Sequence, residues 1–480
     1  MENVLSKMLL TAGLFVCLAA QAQQHATGLI FDDATYQQTD RLSPALKFTA
    51  KDLPAFSLKK YCPTPSDQGA MGSCVGWATG YGALTISLAI RDSITGKELI
   101  TTVAGSPLYI YNQIQTHGCD PGGSRFNDAL TLLKTKGDCK KTDFNPADCS
   151  IKPTATENAK ASSLKIKEYY NIFGVSDNPD AKVAATVNSL NAKKPVVAGF
   201  NLTPSFDNVG ATGEWNPQPN ENINGGHAVC IIGYDNIQKR FEVLNSYGTN
   251  WGNKGFFTIS YADFGKYCKY GYQIVLEKNV DNSGNKNALS GVFNFKKMKN
   301  YNSDSDKYEY TDVKPLLNNN YYTLPDGSVK TTDFYRIVAS GMQKDNYVYI
   351  FSIKPDHTSE IIFPLSLSQG GSDVNDIPIV PASNVNVEIP VDENKGLSTD
   401  QTGTDYLCIL YSREKIDDIK TVVSAVNTGT GDFTARLQQA LGSRLIPFDK
   451  ISYNSNLMGL TAQAGTGTVA PIILKVNVTQ

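Results

Sequence analysis

The sequence predicts an α+β fold in two parts. The first is a two-lobed domain, helical in its first half and antiparallel β in its second. The other is a β-rich, sandwich-like C-terminal domain. Three observations carry this. Apolar residues recur at helical spacing through 74–137, strand-length apolar runs replace them after residue 195, and similar runs return beyond residue 292. Helices first and strands afterwards imply segregated lobes with a cleft where they meet.

The elements follow in order. In "CVGWATGYGALTISLAIRDS", Val75, Ala78, Tyr81, Leu84 and Leu88 share a face, so a buried helix is expected over about 74–91. Gly80 and Gly82 are poor helix formers and imply close packing against a second layer. "SPLYIYNQIQ" and "SRFNDALTLLKTKG" read as further helices, the latter opened by Ser124 or Asn127 and closed by Gly137. "PVVAGFNL", "HAVCIIGYD", "RFEVLNSYG" and "GFFTISYADF" read as strands. "EKNVDNSGNKNALSG" is linker-like, and beyond it come "FYRIVASG", "NYVYIFSIKP", "EIIFPLSL", "NVNVEIPV", "DYLCILYS" and "PIILKVNV". The helices "REKIDDIKTVVSAVN" and "DFTARLQQALG" are expected between the last two strands. The resulting division is a signal peptide at 1–22, a polar and irregular arm at 23–50, the two-lobed domain at 51–280, a linker at 281–291 and the β-rich domain at 292–480.

The composition bounds the function. With 480 residues, 41% hydrophobic and 19% charged, the chain can bury more than one core. A net charge of −2 offers no basic face for nucleic acid. Lys7, the apolar run 8–20 and Ala20-Gln21-Ala22 form a secretory signal with expected cleavage after Ala22, which places the mature protein outside the cell or in the periplasm. Disulfides are permitted there. Once Cys17 leaves with the signal, eight cysteines remain. Cys139 and Cys149, close together across a polar loop, are the expected pair. Cys230 and Cys408 lie in apolar runs and read as buried free thiols. Neither an HExxH motif nor a CxxC pair is present, so no metal or other cofactor is expected.

The stretch "SDQGAMGSCVGWA" raises the chemistry. Gly69 and Gly72 let the backbone turn sharply into the helix, and Cys74 falls at its first turn, where the helix dipole favours thiolate. Among four histidines, His227 opens the apolar strand "HAVCIIGYD". A hairpin into "RFEVLNSYGTNWG" lays Asn245 beside it, where an amide oxygen can hold one imidazole nitrogen while the other faces the thiol.

Gln68 six residues ahead of Cys74, then "HAV" in an apolar strand, then "NSYGTNWGNKGFF", resemble the papain-like cysteine proteases (peptidase family C1) over residues 52–278. "SPLYIYNQ" and "CDPGG" before a helix match in the same order. The resemblance implies the two-lobed papain-like fold and a peptide or protein substrate. It implies Cys74 as nucleophile, His227 as general acid and base, Asn245 as the orienting residue and Gln68 as an oxyanion donor beside the Cys74 N–H. A thiol so paired can fall to a pKa of about 3–4. The resemblance further assigns Gly122 and Gly123 to backbone pairing with an extended substrate and Trp251 to the wall of the primed side. Tyr247 stands in place of a tryptophan that shields the Asn–His contact, and Gly226 lies beside the specificity pocket.

The departures matter too. Met71 removes the family's usual disulfide partner, so Cys119 stays free or pairs differently. Val75 replaces the aromatic after the nucleophile. His227 follows Cys74 by 153 residues, against roughly 130–150 in the family. The arm 23–50 is too short for the family's helical prodomain. Either the enzyme folds active or the arm plugs the cleft, and the first is preferred. The last domain resembles a β-rich domain of unknown function (the DUF4384 type) found behind bacterial peptidases, which implies a cell-surface or protein target. A transpeptidase or transglutaminase-like enzyme, which shares the acyl-enzyme, and a silent binding or adhesion scaffold stand as alternatives to the secreted peptidase.

Overall fold

The computed structural model describes residues 25–49, 53–116, 118–119, 122–277, 288–304, 307–368, 375–463, 465 and 467–480. The signal peptide and linker residues 281–287 lie outside them. Among the described residues no helix is long and apolar enough to cross a membrane.

The helix expected at 74–91 forms with a change of winding: regular over Cys74–Gly76, π-wound over Trp77–Leu84, regular again over Thr85–Arg91. Its glycines account for the close packing. A Cβ on Gly82 would lie 3.0 Å from Cys230, and one on Gly80 would lie 2.6 Å from Ile110. The helix can therefore lie flat against both the strand layer and its neighbour Pro107–Ile114, which Ser106 caps and Pro107 starts. The next helix, Phe126–Thr135, begins after Arg125, so neither Ser124 nor Asn127 is its cap; Gly137, at φ +93°, follows its end. The helix Pro179–Asn191, capped by Asn178, was not expected.

One antiparallel run of strands makes the second lobe. Gly225–Asp235 pairs with Val196–Leu202 on one side and Arg240–Leu244 on the other, and Phe256–Ser260 follows. Cys268–Leu276 and Ile166–Asn171, both absent from the sequence reading, continue the sheet beyond Val196–Leu202. Gly225–Asp235 is covered on both faces, by the helical lobe on one of them, and so its side chains are apolar without alternation.

The C-terminal region holds two further sheets. Leu289–Asn302 and Phe334–Ser340 belong to one, Tyr347–Ile353, Gly403–Ser412 and Val469–Thr479 to the other. Phe293, Ile337 and Val387 share an apolar core with Ile350, Ile409 and Ile472 from the facing sheet. Of the expected helix 413–427, only Ile419–Thr428 is helical.

Two expectations are corrected. The disulfide is Cys119–Cys149, with Cα atoms 5.7 Å apart. Cys139 is instead free and buried in the helical lobe, where its carbonyl accepts the Ser106 N–H. The arm is not irregular. It contains the helix Asp33–Gln38 and the short strands Arg41–Leu42 and Leu46–Phe48. Cys230 and Cys408 are buried free thiols, as read from their apolar neighbours.

Candidate active site

Cys74 is the first residue of its helix and is fully buried. Ser73 precedes it and accepts from the Trp77 indole at 3.2 Å, which fixes the entry to the helix. The sulfur faces the backbone N–H of Ala228, the residue after His227, and that of Gly28 from the arm. Helix start and strand start therefore meet, as the cleft model requires.

His227 lies opposite Phe200 in the sheet, and its Nε2 is 2.8 Å from Asn245 Oδ1. The hairpin places Leu244 opposite Cys230, so Asn245, one residue further on, comes diagonal to His227. Nδ1 has no hydrogen-bond partner among the described residues and is the nitrogen left for the thiol. Tyr247 packs on the imidazole with ring centres 4.9 Å apart, and Phe206 covers it from another side at 5.6 Å. Trp251 stands behind both, 5.1 Å from Phe206 and 5.4 Å from Tyr247.

Gln68 is oriented by a residue the sequence reading passed over. Ser246 Oγ donates to Gln68 Oε1 at 2.6 Å, so the amide Nε2 must point the other way, into the cleft. There it donates to Ala26 O at 2.8 Å and to Met71 O at 2.9 Å.

The cleft is occupied by the chain's own arm. Leu29 N donates to Gly226 O at 3.1 Å. On the opposite edge Ser124 N donates to Gly28 O and Ile30 N donates to Ser124 O, at 2.8 and 3.0 Å. The glycines at 122 and 123 thus form the edge, at φ +55° and +151°, but the pairing itself runs through Ser124. Gly28 fits only as glycine, since a Cβ there would sit 1.9 Å from Gly72 O. Leu29 is buried against Gly199, where an added Cβ would come within 2.8 Å of it. His25 stacks on Tyr247 at 4.1 Å, with its Nε2 3.2 Å from Asp67. Of the two readings of the arm, the less preferred one describes where it lies.

Burial sets the electrostatics. It pushes the Cys74 thiol up to about 11 against the pull of the N–H groups, and lowers His227 to about 4 although Asn245 favours its charged form. The expected low-pKa thiolate is therefore absent from this arrangement: thiol and imidazole are both neutral at pH 7. The helix dipole is outweighed because water is excluded from both groups.

A model of the papain family of cysteine proteases matches residues 57–277. These residues form a papain-family cysteine protease domain. An uncharacterized peptidase C1-like protein of Acanthamoeba polyphaga mimivirus is 27% identical over 220 residues, 43% of this chain and 68% of that protein. Cathepsin K of Gallus gallus is 29% identical over 213 residues, 42% of this chain and 56% of its own length. Among solved structures, xylellain, a cysteine protease from Xylella fastidiosa, is 24% identical, with a TM-score of 0.44 over 53% of this chain and 97% of that one. The papain-family assignment makes the enzyme a hydrolase and favours neither the acyl-transferase nor the silent-scaffold alternative.

Proposed function

We propose that the protein is an exported peptidase that cleaves peptide bonds through a Cys74 acyl-enzyme. The observation that carries this is the His227 Nε2–Asn245 Oδ1 contact of 2.8 Å, which leaves Nδ1 as the one nitrogen available to a thiol at a helix start. The Cys74 sulfur bonds to the substrate carbonyl carbon while its proton passes to His227. The carbonyl oxygen takes up the negative charge between Gln68 Nε2 and the Cys74 N–H. His227 then gives the proton to the leaving amine as the C–N bond breaks. Water attacks the thioester carbon, His227 accepts its proton, and the sulfur departs to regenerate the thiol. Asn245 accepts from Nε2–H throughout, so Nδ1 is the nitrogen that gains and loses the proton.

Export with removal of residues 1–22 is supported by the signal pattern and agrees with a Cys119–Cys149 disulfide in an oxidising compartment. The mature chain then carries the arm, the protease domain and a β-rich domain of the DUF4384 type in that order. Small residues Gly199 and Gly226 around Leu29 support acceptance of a branched apolar side chain at that subsite.

The test is labelling with an epoxide of the E-64 type, on the chain from residue 23 and on a form lacking 23–31. The adduct is located by peptide mass, with Cys74→Ser and His227→Ala as controls. A single adduct on Cys74 that depends on His227 is expected in the shortened form. Absence of label in both forms overturns the assignment of these roles.

A further inference from the structure

We propose that the C-terminal domain is the anchor of an internal strap, residues 25–31, that holds the Cys74–His227 site shut; this rests on the catalytic roles given above. The strap fills the cleft without presenting itself for cleavage. Its carbonyl in the oxyanion position belongs to Ala26, whereas the sulfur meets the N–H of Gly28, two residues further on. A thiolate attacks a carbonyl carbon, and an N–H over the sulfur blocks that approach. Segment and site are on one chain, so the strap competes with substrate at an effective concentration no external peptide reaches easily.

What distinguishes this chain is how the strap is tied down. The first tie is within the protease domain. Tyr36 is fully buried, its hydroxyl donates to Phe173 O at 2.6 Å, and its ring stacks on Tyr270 at 4.1 Å. The remaining ties run to the C-terminal region. Arg41–Leu42 is laid between Asn171 of the protease sheet and Asp376–Ile377, parallel to both. Lys415 reaches Asp40 at 2.6 Å. Leu46–Phe48 then pairs antiparallel with Val385–Ile389, and Ala45 and Leu46 are buried in the C-terminal core. The arm is thus an edge strand of the C-terminal domain before it re-enters the protease domain. Its sheet pairing fixes the arm's register, and register fixes which residue reaches the sulfur.

The role predicted for the C-terminal domain is therefore internal: loosening its grip on Leu46–Phe48 slackens the strap. Two quantities report this, the rate of Cys74 alkylation by the epoxide and the hydrogen-exchange protection of the amides of Leu29 and Ile30. Four forms of the chain from residue 23 are compared: unaltered, Gly28→Leu, Leu46→Asp, and one cut at an engineered site in 50–52. Gly28→Leu cannot seat against Gly72 and is expected to label about 10²-fold faster, within the range a tethered competitor provides. Leu46→Asp is expected to label about 10-fold faster than the unaltered chain, because a buried charge weakens the anchor but leaves the strap sequence intact. The cut form is expected to stay slow with its arm still bound, since pairing and burial hold it, not the chain connection.

Labelling of the unaltered chain as fast as Gly28→Leu overturns the strap. Equal rates and equal protection in Leu46→Asp and the unaltered chain overturn the anchor. If no form labels, the catalytic roles fail, and protection decides the strap separately. Loss of Leu29 and Ile30 protection in Leu46→Asp supports the anchor even then, and unchanged protection overturns it. Should Leu46→Asp fail to fold, Asp40→Asn, which breaks only the Lys415 pair, serves with a smaller expected increase.

Discussion

The strand that carries His227 and the arm that lies across it are both extended segments in one cleft, yet they are built on opposite principles. Gly225–Asp235 is a continuous apolar run, paired on both sides by strands close to it in sequence. The arm's residues 25–48 are mixed in polarity, and their partners lie at Ser124, Asn171, Asp376 and Val387. Local pattern makes the first rigid; scattered distant partners hold the second. The difference is the one the proposed strap calls for, between a fixed site and a segment that can leave it.

The largest break of that comparison is at Tyr36, the arm's deepest tie. Tyr36→Ala removes a fully buried ring and two hydrogen-bonded contacts, and large-to-small changes of this kind cost about 3–5 kcal/mol. The expectation is that the cost falls on the arm alone. Epoxide labelling of Cys74 should accelerate while the thermal transition of the protease sheet, followed by circular dichroism, moves little. A large fall in that transition without faster labelling would mean Tyr36 is core to the domain and not a tie of the strap.

The catalytic side is broken next at Gln68. In a strap-released form, Gln68→Ala is expected to lower kcat by about 10²–10³, the usual effect of losing one oxyanion donor. KM should change little, because the donor acts on charge that develops only in the transition state. An effect confined to KM would place Gln68 in ground-state binding.

These two sites also mark what was legible. Cys74, His227, Asn245 and Gln68 could be read because each sits at a fixed offset from a local signal: a glycine turn, a strand start, a hairpin return. Ser246 and Ser124 could not, for a serine between an asparagine and a tyrosine, or before an arginine, carries no periodic mark. Ser124 reads as a candidate cap, as Asn127 does, because helix starts and cleft edges use the same residue types. Asp33–Gln38, Arg41–Leu42 and Leu46–Phe48 were missed because short elements gain their stability from distant partners, not from propensity. The pairing of Cys119 with Cys149 over Cys139 was likewise not legible, because the folding of the intervening loop, not closeness in sequence, brings two Cα atoms to the 5.7 Å a disulfide needs.

A smaller effect sharpens the contrast through pH. Under the strap His227 is lowered to about 4, below its ordinary 6.5, so the closed form loses stability as pH falls through that window. Cys74, raised to about 11, has the opposite sign: its contribution to closure is full below the ordinary thiol range and is lost as pH rises toward that value. The strap should be tightest between about pH 7 and 8.5, the interval between the two ordinary values. The neighbours that bear on this are Tyr247 over the ring, Asn245 at Nε2, and His25 with Asp67 3.2 Å away; Asp207 also acts on His25. Protection of the Leu29 amide, corrected for intrinsic exchange, should fall from pH 7 to pH 5. Protection that is flat over that interval would break the link between His227 and closure.

The finest probe is Ser246. Its hydroxyl donates to Gln68 Oε1 at 2.6 Å. Ser246→Ala leaves Gln68 in place but frees its amide to turn over, presenting oxygen where the donor belongs. One neutral hydrogen bond is worth about 1 kcal/mol, so kcat in the released form should fall by about 5-fold. A merely structural serine would show its loss in stability with kcat intact. A positioning serine shows it in kcat, and Ser246→Thr, which restores the hydroxyl, should recover most of the rate. The double variant Ser246→Ala with Gln68→Ala should be no slower than Gln68→Ala alone, since Ser246 has nothing left to position. Additive losses would mean that Ser246 reaches the reaction by a route other than Gln68.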